Sequence, residues 1–374
     1  MLEEKNVLLV TRPLCLPWDE ASKNFAYFLA KSISGPSLSV LTHGIIRGLP
    51  ESVTQKQIYS SGRFDSPAKI RLFFSLLFSR GSYDITHYLF TPTKVSSSLF
   101  KTILHPTKGK TIQTVATLRE DLYATEDLRS IFFADRIITY SDTSKKRLDE
   151  IGFTNVKRIY PGIDLELYQS KPKDPSLMAW FKFTEEDFIV IYPGEYVRLG
   201  ATDMLADGLI AHYREQPESK LRFMWACRIK NEADARKKEE VRKKFADAGM
   251  EDRFLFSDTF ADMPKLYNLA DVIAFPVGDM KGKFDVPLII IEAYACGKPV
   301  ILSDIPLFHE FSNADISATV PRGDGKAFFS VVDELAHDKN RVETMGKAAR
   351  AYVEKEFDLL VTAKQYTEVY RSLE

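Results

Sequence analysis

Only three of the 374 residues are cysteines, Cys15, Cys227 and Cys296, and they lie far apart. So sparse and odd a set argues against a disulfide framework or a zinc site, and it fits a reducing, cytoplasmic setting. No apolar run approaches the roughly 18 residues of a membrane-spanning helix. The opening MLEEKNVLLVTRPL lacks both the basic start and the long apolar core of a secretory signal, so none is expected. Excess charge is missing too. The net charge is −1, which argues against an overall nucleic-acid binder. The fingerprint G-x-G-x-x-G does not occur, which argues against a dehydrogenase. The six histidines are scattered, with no H-x-H pair, and no Asp-x-Asp occurs, so no metal site is expected.

What the chain does have is alternation. Strand-like runs occur at 6–11, 38–43, 84–90, 110–117, 135–141 and 155–161. A second series occupies 188–194, 221–227, 253–258, 271–277 and 299–304. Amphipathic stretches lie between most of them, among them 20–32, 69–79, 144–151, 236–247, 262–269 and 287–296. Strand alternating with helix implies parallel sheets with crossover helices, and two series imply two such domains. The Pro/Lys-rich start of QSKPKDPSLMAWFKFTEED predicts a linker, with the boundary near 172–187. Charge divides in the same way: residues 1–170 hold 22 Lys+Arg against 17 Asp+Glu, the remainder 29 against 35. A basic face for an anionic partner and an ordinary solvated surface both fit that asymmetry.

The stretch FDVPLIIIEAYACGKPVILSD (284–304) carries the strongest signal. Pro287 suits a first helical position, Gly297 a left-handed C-terminal stop, and Pro299 ends any continuation. The helix between is apolar on every side except at Glu292, and a helix apolar all round is a buried one. A carboxylate there is costly unless it has partners or faces a polar cavity. One reading is a structural Glu paired with an Arg or with backbone N–H groups. The other is a cleft carboxylate accepting hydrogen bonds from adjacent ribose hydroxyls. Val286, Pro287 and Leu288 stand at the start of the helix, where the free N–H groups of its first turn and the dipole favour an anion.

This stretch resembles the donor-site signature of retaining GT-B glycosyltransferases, in particular glycosyltransferase family 4, the group 1 glycosyltransferases. Three further segments match in order: ADRIITYSDTSKKRLDEIGFTNVKRIYPGIDLELY (134–168), RFLFSDTFADMPKLYNLADVIAFPV (253–277) and EFDLLVTAKQYTEVYRSL (356–373). The resemblance implies an α/β fold of two Rossmann-like domains facing across a cleft. The acceptor domain would be 1–172, the nucleotide-sugar donor domain 187–355, and 356–374 a helix packing back on the first domain. It implies a metal-independent transfer of a sugar from a nucleotide-diphosphate sugar to a glycan, lipid or small molecule, with no cofactor. The alternative is a non-catalytic GT-B subunit that binds a nucleotide sugar or a partner enzyme.

The family places a glutamate eight residues before its second one; here that position is Phe284, and the adjacent Asp285 is the candidate substitute. Asp285 as a cap for the following helix is the competing reading. The family's Arg and Lys after the donor domain's first strand are reduced here to Arg198, in PGEYVRLGATDM. Arg228 and Lys230, after the next strand, complete a candidate clamp for the diphosphate. Thr259 and Phe260, with Phe256, are expected near the base. Asp19, Thr117 and Arg119 are expected on the acceptor side, where the family's His is missing from TVATLRED. Lastly, AKIRLFFSLLFSRGS (68–82) sets apolar residues between Lys69, Arg71 and Arg80. A peripheral membrane contact is one reading of it. Packing of Phe73, Phe74, Leu76 and Leu77 into the core is the other.

Overall fold

The computed structural model describes residues 5–16, 21–90, 93–258, 260, 262–280 and 283–373. They form two compact units. The first is Met1–Asp164 with Lys281–Val286 and Glu356–Glu374; the second is Leu165–Met280 with Pro287–Lys355.

The first unit holds seven strands: β1 (Asn6–Leu14), β2 (Ser37–Thr42), β3 (Val53–Gln57), β4 (Ile85–Leu89), β5 (Lys110–Val115), β6 (Arg136–Thr139) and β7 (Val156–Arg158). All pair in parallel, in the order β3-β2-β1-β4-β5-β6-β7. Strands covered by helices on both faces are apolar throughout rather than alternating. Accordingly every residue of β4 is buried, His87 included. His87 is held in place by two hydrogen bonds, Nδ1 with Tyr370 Oη at 2.8 Å and Nε2 with Thr114 Oγ1 at 2.7 Å. Burial pushes its pKa down to about 3, so the ring is neutral at physiological pH.

Tyr370 belongs to the helix Leu359–Ser372. That helix packs on the helix Ala21–Ser32, where Phe25 meets Tyr366 at 5.9 Å between ring centroids. It is fastened at its start by Thr362 Oγ1 donating to Tyr160 O at 3.1 Å.

The second unit holds six strands: β8 (Phe188–Tyr192), β9 (Leu221–Trp225), β10 (Leu255–Phe256), β11 (Val272–Phe275), β12 (Val300–Ser303) and β13 (Ser317–Val320). They too are parallel, in the order β10-β9-β8-β11-β12-β13. Two parallel sheets with crossover helices are what the two apolar series predict.

Three details differ from the expectations. The chain passes between units at 164/165, ahead of the Pro/Lys-rich stretch. The cause is local pairing: Lys171 N–H donates to Asn268 Oδ1 at 2.8 Å, and Lys173 Nζ to Asp271 Oδ2 at 2.8 Å, which ties 169–173 to the second unit. The expected strand 253–258 shrinks to two residues because Glu251–Arg253 forms a turn of 3-10 helix. The helix expected at 287–296 spans Leu288–Ala295, with Pro287 outside it at ψ 92°, in the capping position rather than the first helical one.

Candidate functional site

In the second sheet the strand order reverses between β8 and β11. A ligand crevice in an open parallel sheet forms outside the strand C-termini at such a reversal. The loop after β8 is shaped by Gly194: a Cβ there would lie 2.0 Å from the Tyr192 ring, so only hydrogen fits. The Tyr192 hydroxyl donates to Glu195 O at 3.3 Å, closing the loop over the ring. The loops after β8 and β11 are joined by Gly278 N–H donating to Leu199 O at 2.7 Å.

This edge collects the three bases of the candidate clamp. Arg198 is exposed on the β8 loop; Arg228 and Lys230 are exposed after β9. Arg228 has no hydrogen-bond or ion-pair partner among the described residues. Lys230 Nζ is engaged: it donates to Glu195, a buried carboxylate on the β8 loop. The Lys230 N–H donates to Asp234 Oδ2 at 3.1 Å, and Asn231 caps the helix Glu232–Asp247. Glu195 was not singled out from the sequence. The signal was available, since an acid stands in a loop where the resemblance calls for bases.

Glu292 lies in the helix Leu288–Ala295 and is half-buried, whereas Ile290, Ile291, Ala293 and Tyr294 beside it are buried. Its partners are neither an Arg nor backbone N–H groups. Tyr267 Oη donates to Oε2 at 2.8 Å, and the Tyr168 hydroxyl donates to the same carboxylate. Burial raises the Glu292 pKa from 4.5 to about 7, while the two phenol hydrogen bonds pull it the other way. One carboxylate offers about four lone-pair sites, so two donors do not exhaust it. The tyrosines were invisible in sequence because they come from helix Met263–Leu269 and from the segment after Ile163, 25 and 124 positions away.

The helix that carries Glu292 has no side-chain cap at its start. Asp285 as a cap is therefore corrected: its carboxylate accepts from Ser144 Oγ at 2.5 Å and from Leu118 N–H at 3.2 Å. Its own N–H donates to Ala116 O at 3.0 Å, in keeping with the place of residues 283–286 in the first unit. Val286 and Pro287 are buried and Leu288 is half-buried. Phe260 is half-buried, and Phe256 carries the Lys238 ammonium 3.6 Å from its ring centroid. Thr259 and Asp19 lie outside the described residues.

The first unit has a separate cavity of about 160 Å³ at the C-terminal ends of β1, β4, β5 and β6. Arg12, Thr117, Arg119, Tyr140 and Phe284 are among its lining residues, so Thr117 and Arg119 fall together. Arg119 is held by Asp121 through two bonds of 2.7 and 2.8 Å, which raise its pKa. Thr114, a partner of His87, also lines the cavity.

Among the described residues no group of three or more His, Cys, Asp or Glu is gathered to hold a metal. No helix among them is long and apolar enough to cross a membrane.

The chain has the GT-B fold of known glycosyltransferases. HepE from Anabaena, solved in complex with UDP and glucose, matches 99% of this chain and 100% of its own, with TM-score 0.76 and 17% identity. Sucrose-phosphate synthase from Thermosynechococcus elongatus matches 99% and 98%, with TM-score 0.73 and 16% identity. Residues 187–338, nearly all of them in the second unit, match the family Glycosyl transferases group 1. By sequence the chain is similar to a GDP-mannose-dependent monoacylated alpha-(1-6)-phosphatidylinositol monomannoside mannosyltransferase of Corynebacterium glutamicum. They are 23% identical over 255 residues, 66% of this chain and 65% of that protein, just under two thirds of its length.

Proposed function

We propose that the protein transfers a sugar from a nucleotide-diphosphate sugar to a glycan, lipid or small-molecule acceptor, with retention at the anomeric carbon. The observation that carries this is the pairing of Glu292, a carboxylate with open lone pairs, with three bases at the strand reversal of the same unit. A ribose with two adjacent hydroxyls suits the first, and a diphosphate suits the second.

In this reading Arg198, Arg228, Lys230 and the backbone N–H groups of the helix turn that starts at Leu288 hold the diphosphate. The acceptor hydroxyl oxygen bonds to the anomeric carbon as the bond to the diphosphate oxygen breaks. The electron pair leaves with the diphosphate, whose oxygen takes the acceptor proton on the same face. The negative charge develops where cations and dipoles already point, usually the largest catalytic effect. No metal or cofactor is assigned. Glu195 holds Lys230 until a phosphate replaces it. Phe260 flanks the base, which similarity to UDP-bound and GDP-mannose-dependent proteins leaves as uridine or guanosine. Thr117 and Arg119 face the acceptor, and Asp285 positions the Leu118 segment rather than the sugar. That placement of Asp285, with Phe284 at the family's acidic position, favours the second reading, a binding subunit without turnover.

Arg198→Ala and Arg228→Ala are each expected to weaken UDP or GDP binding by about 10–100-fold, the loss of one charge-assisted contact. Nucleoside binding should change by less than about two-fold. Calorimetric titration reads both. Equal losses for nucleoside and diphosphate would remove these bases from the phosphate site.

A further inference from the structure

The helix Ser66–Phe78 of the first unit has two apolar faces. Ala68, Leu72 and Leu76 are buried and pack with Tyr88, Phe100 and Leu104. Ile70, Phe74 and Phe78, also spaced four apart, form a second stripe on the outside. They are 56%, 49% and 81% exposed, and the Phe74 and Phe78 rings stack at 6.2 Å and 20°. A helix with one face in water normally keeps that face polar, and core packing does not account for this stripe.

The same unit exposes two more apolar side chains: Val95 and Ile103 are 79% and 46% exposed on and after the helix Lys94–Thr102. That helix buries Phe100 in the same cluster as Leu72 and Leu76. Arg80 Nε donates to His105 O at 2.8 Å and Thr107 N–H to Arg80 O at 2.9 Å, which fastens the end bearing Phe78 to the chain just past Ile103.

Charge identifies the occupant. Residues 52–119 contain ten Lys and Arg but only two acids, Asp65 and Asp84. Both acids are exposed but already hydrogen-bonded: Asp65 caps the helix at Ala68 N–H, and Asp84 accepts from Asn6 N–H at 2.8 Å. Arg63, Lys69, Arg71, Lys101 and Lys108 are exposed. A second copy would set this basic surface against itself, which like-charge repulsion opposes. An anionic lipid surface meets both features, taking the bases at the headgroups and the apolar stripe just beneath them.

We propose that the first unit docks on membranes containing anionic phospholipid, with Ile70, Phe74 and Phe78 inserted and Lys69, Arg71 and Lys108 at the headgroup level. The proposal is independent of the chemistry assigned to the second unit.

Co-sedimentation of the full chain with phosphatidylcholine vesicles, with and without about 30% phosphatidylglycerol, tests it. The bound fraction is expected to be at least about five-fold higher with the anionic lipid, and to fall by a similar factor from about 0.1 M to 0.5 M NaCl. Phe74→Ser with Phe78→Ser should abolish pelleting at every salt concentration with an unchanged far-UV spectrum. Lys69→Glu with Arg71→Glu should abolish the preference for anionic lipid. No pelleting at low salt, equal pelleting on neutral vesicles, or double variants that pellet like the parent would each overturn the proposal. So would a dimer in solution that Phe74→Ser with Phe78→Ser dissociates, since the stripe would then be a self-association surface.

Discussion

Glu292→Ala is expected to weaken UDP or GDP binding by about 100-fold. Two hydroxyls donating to one carboxylate make charge-assisted hydrogen bonds, and losing both costs about 3 kcal/mol, two powers of ten in affinity. Glu292→Gln keeps an acceptor and the shape, and should cost about ten-fold. The pH dependence makes the test specific. Burial lifts the Glu292 pKa from 4.5 to about 7 in the folded chain. Between those values the folded chain keeps a proton that the unfolded chain has released. Stability therefore falls as pH rises through that window, by an amount of order 3 kcal/mol.

Ribose hydroxyls favour the ionised form, so nucleotide affinity should rise from pH 6 to pH 8 by up to about ten-fold, with a proton released on binding. In Glu292→Gln the fall in stability and the rise in affinity should both flatten. Titrations in buffers of different ionisation enthalpy count the released proton. If Glu292→Gln unfolds the protein, or leaves affinity and its pH slope untouched, Glu292 is a structural residue held by Tyr168 and Tyr267.

Gly346→Ala is expected to destabilise the second unit by about 3 kcal/mol or more. A Cβ at Gly346 would stand 2.2 Å from Gly297 O and 3.1 Å from its carbonyl carbon. The obstruction is backbone, so no side chain can swing away. Gly297 cannot yield freely either: it sits at φ 69°, closing the helix that carries Glu292, with its N–H on Tyr294 O at 2.9 Å. One turn beyond Gly346, Arg350 Nη1 donates to Ala295 O and Tyr168 O at 2.7 Å each. The helix Lys339–Glu356 is thus the support on which Glu292 and one of its tyrosines rest. Chemical denaturation should show the loss, and any variant that folds should bind nucleotide more weakly than the parent. A change in stability below about 0.5 kcal/mol would show that the close approach is relaxed in solution.

These two cases mark how far the sequence could be read. The two strand series and the isolated charge at Glu292 were legible because burial on both faces leaves a continuous apolar run, against which one carboxylate stands out. The stop at Gly297 was legible because caps are local chemistry. What could not be read depended on partners far along the chain. Tyr168 and Tyr267 meet Glu292 only through the tertiary fold. Asp285 turns to Ser144, 141 positions earlier, although its neighbours suggested a helix cap. Lys230 reads as a free base until Glu195 is seen beside it. The helix Ser66–Phe78 divides its apolar residues between core and surface. Leu76 is in the core as that reading of the stretch expects, whereas Phe74 is about half exposed.

Consumption of nucleotide sugars tests the central claim most directly. The purified chain is incubated with a panel of UDP- and GDP-sugars and a mixture of glycan and lipid acceptors. Nucleoside diphosphate release is followed, and the anomeric configuration of the product is read by NMR. The account predicts that one nucleotide sugar is consumed, that its configuration is retained, and that Glu292→Ala removes the activity. Nucleotide binding without consumption of any donor, in the presence of acceptors, would contradict glycosyl transfer and leave the chain as a binding subunit.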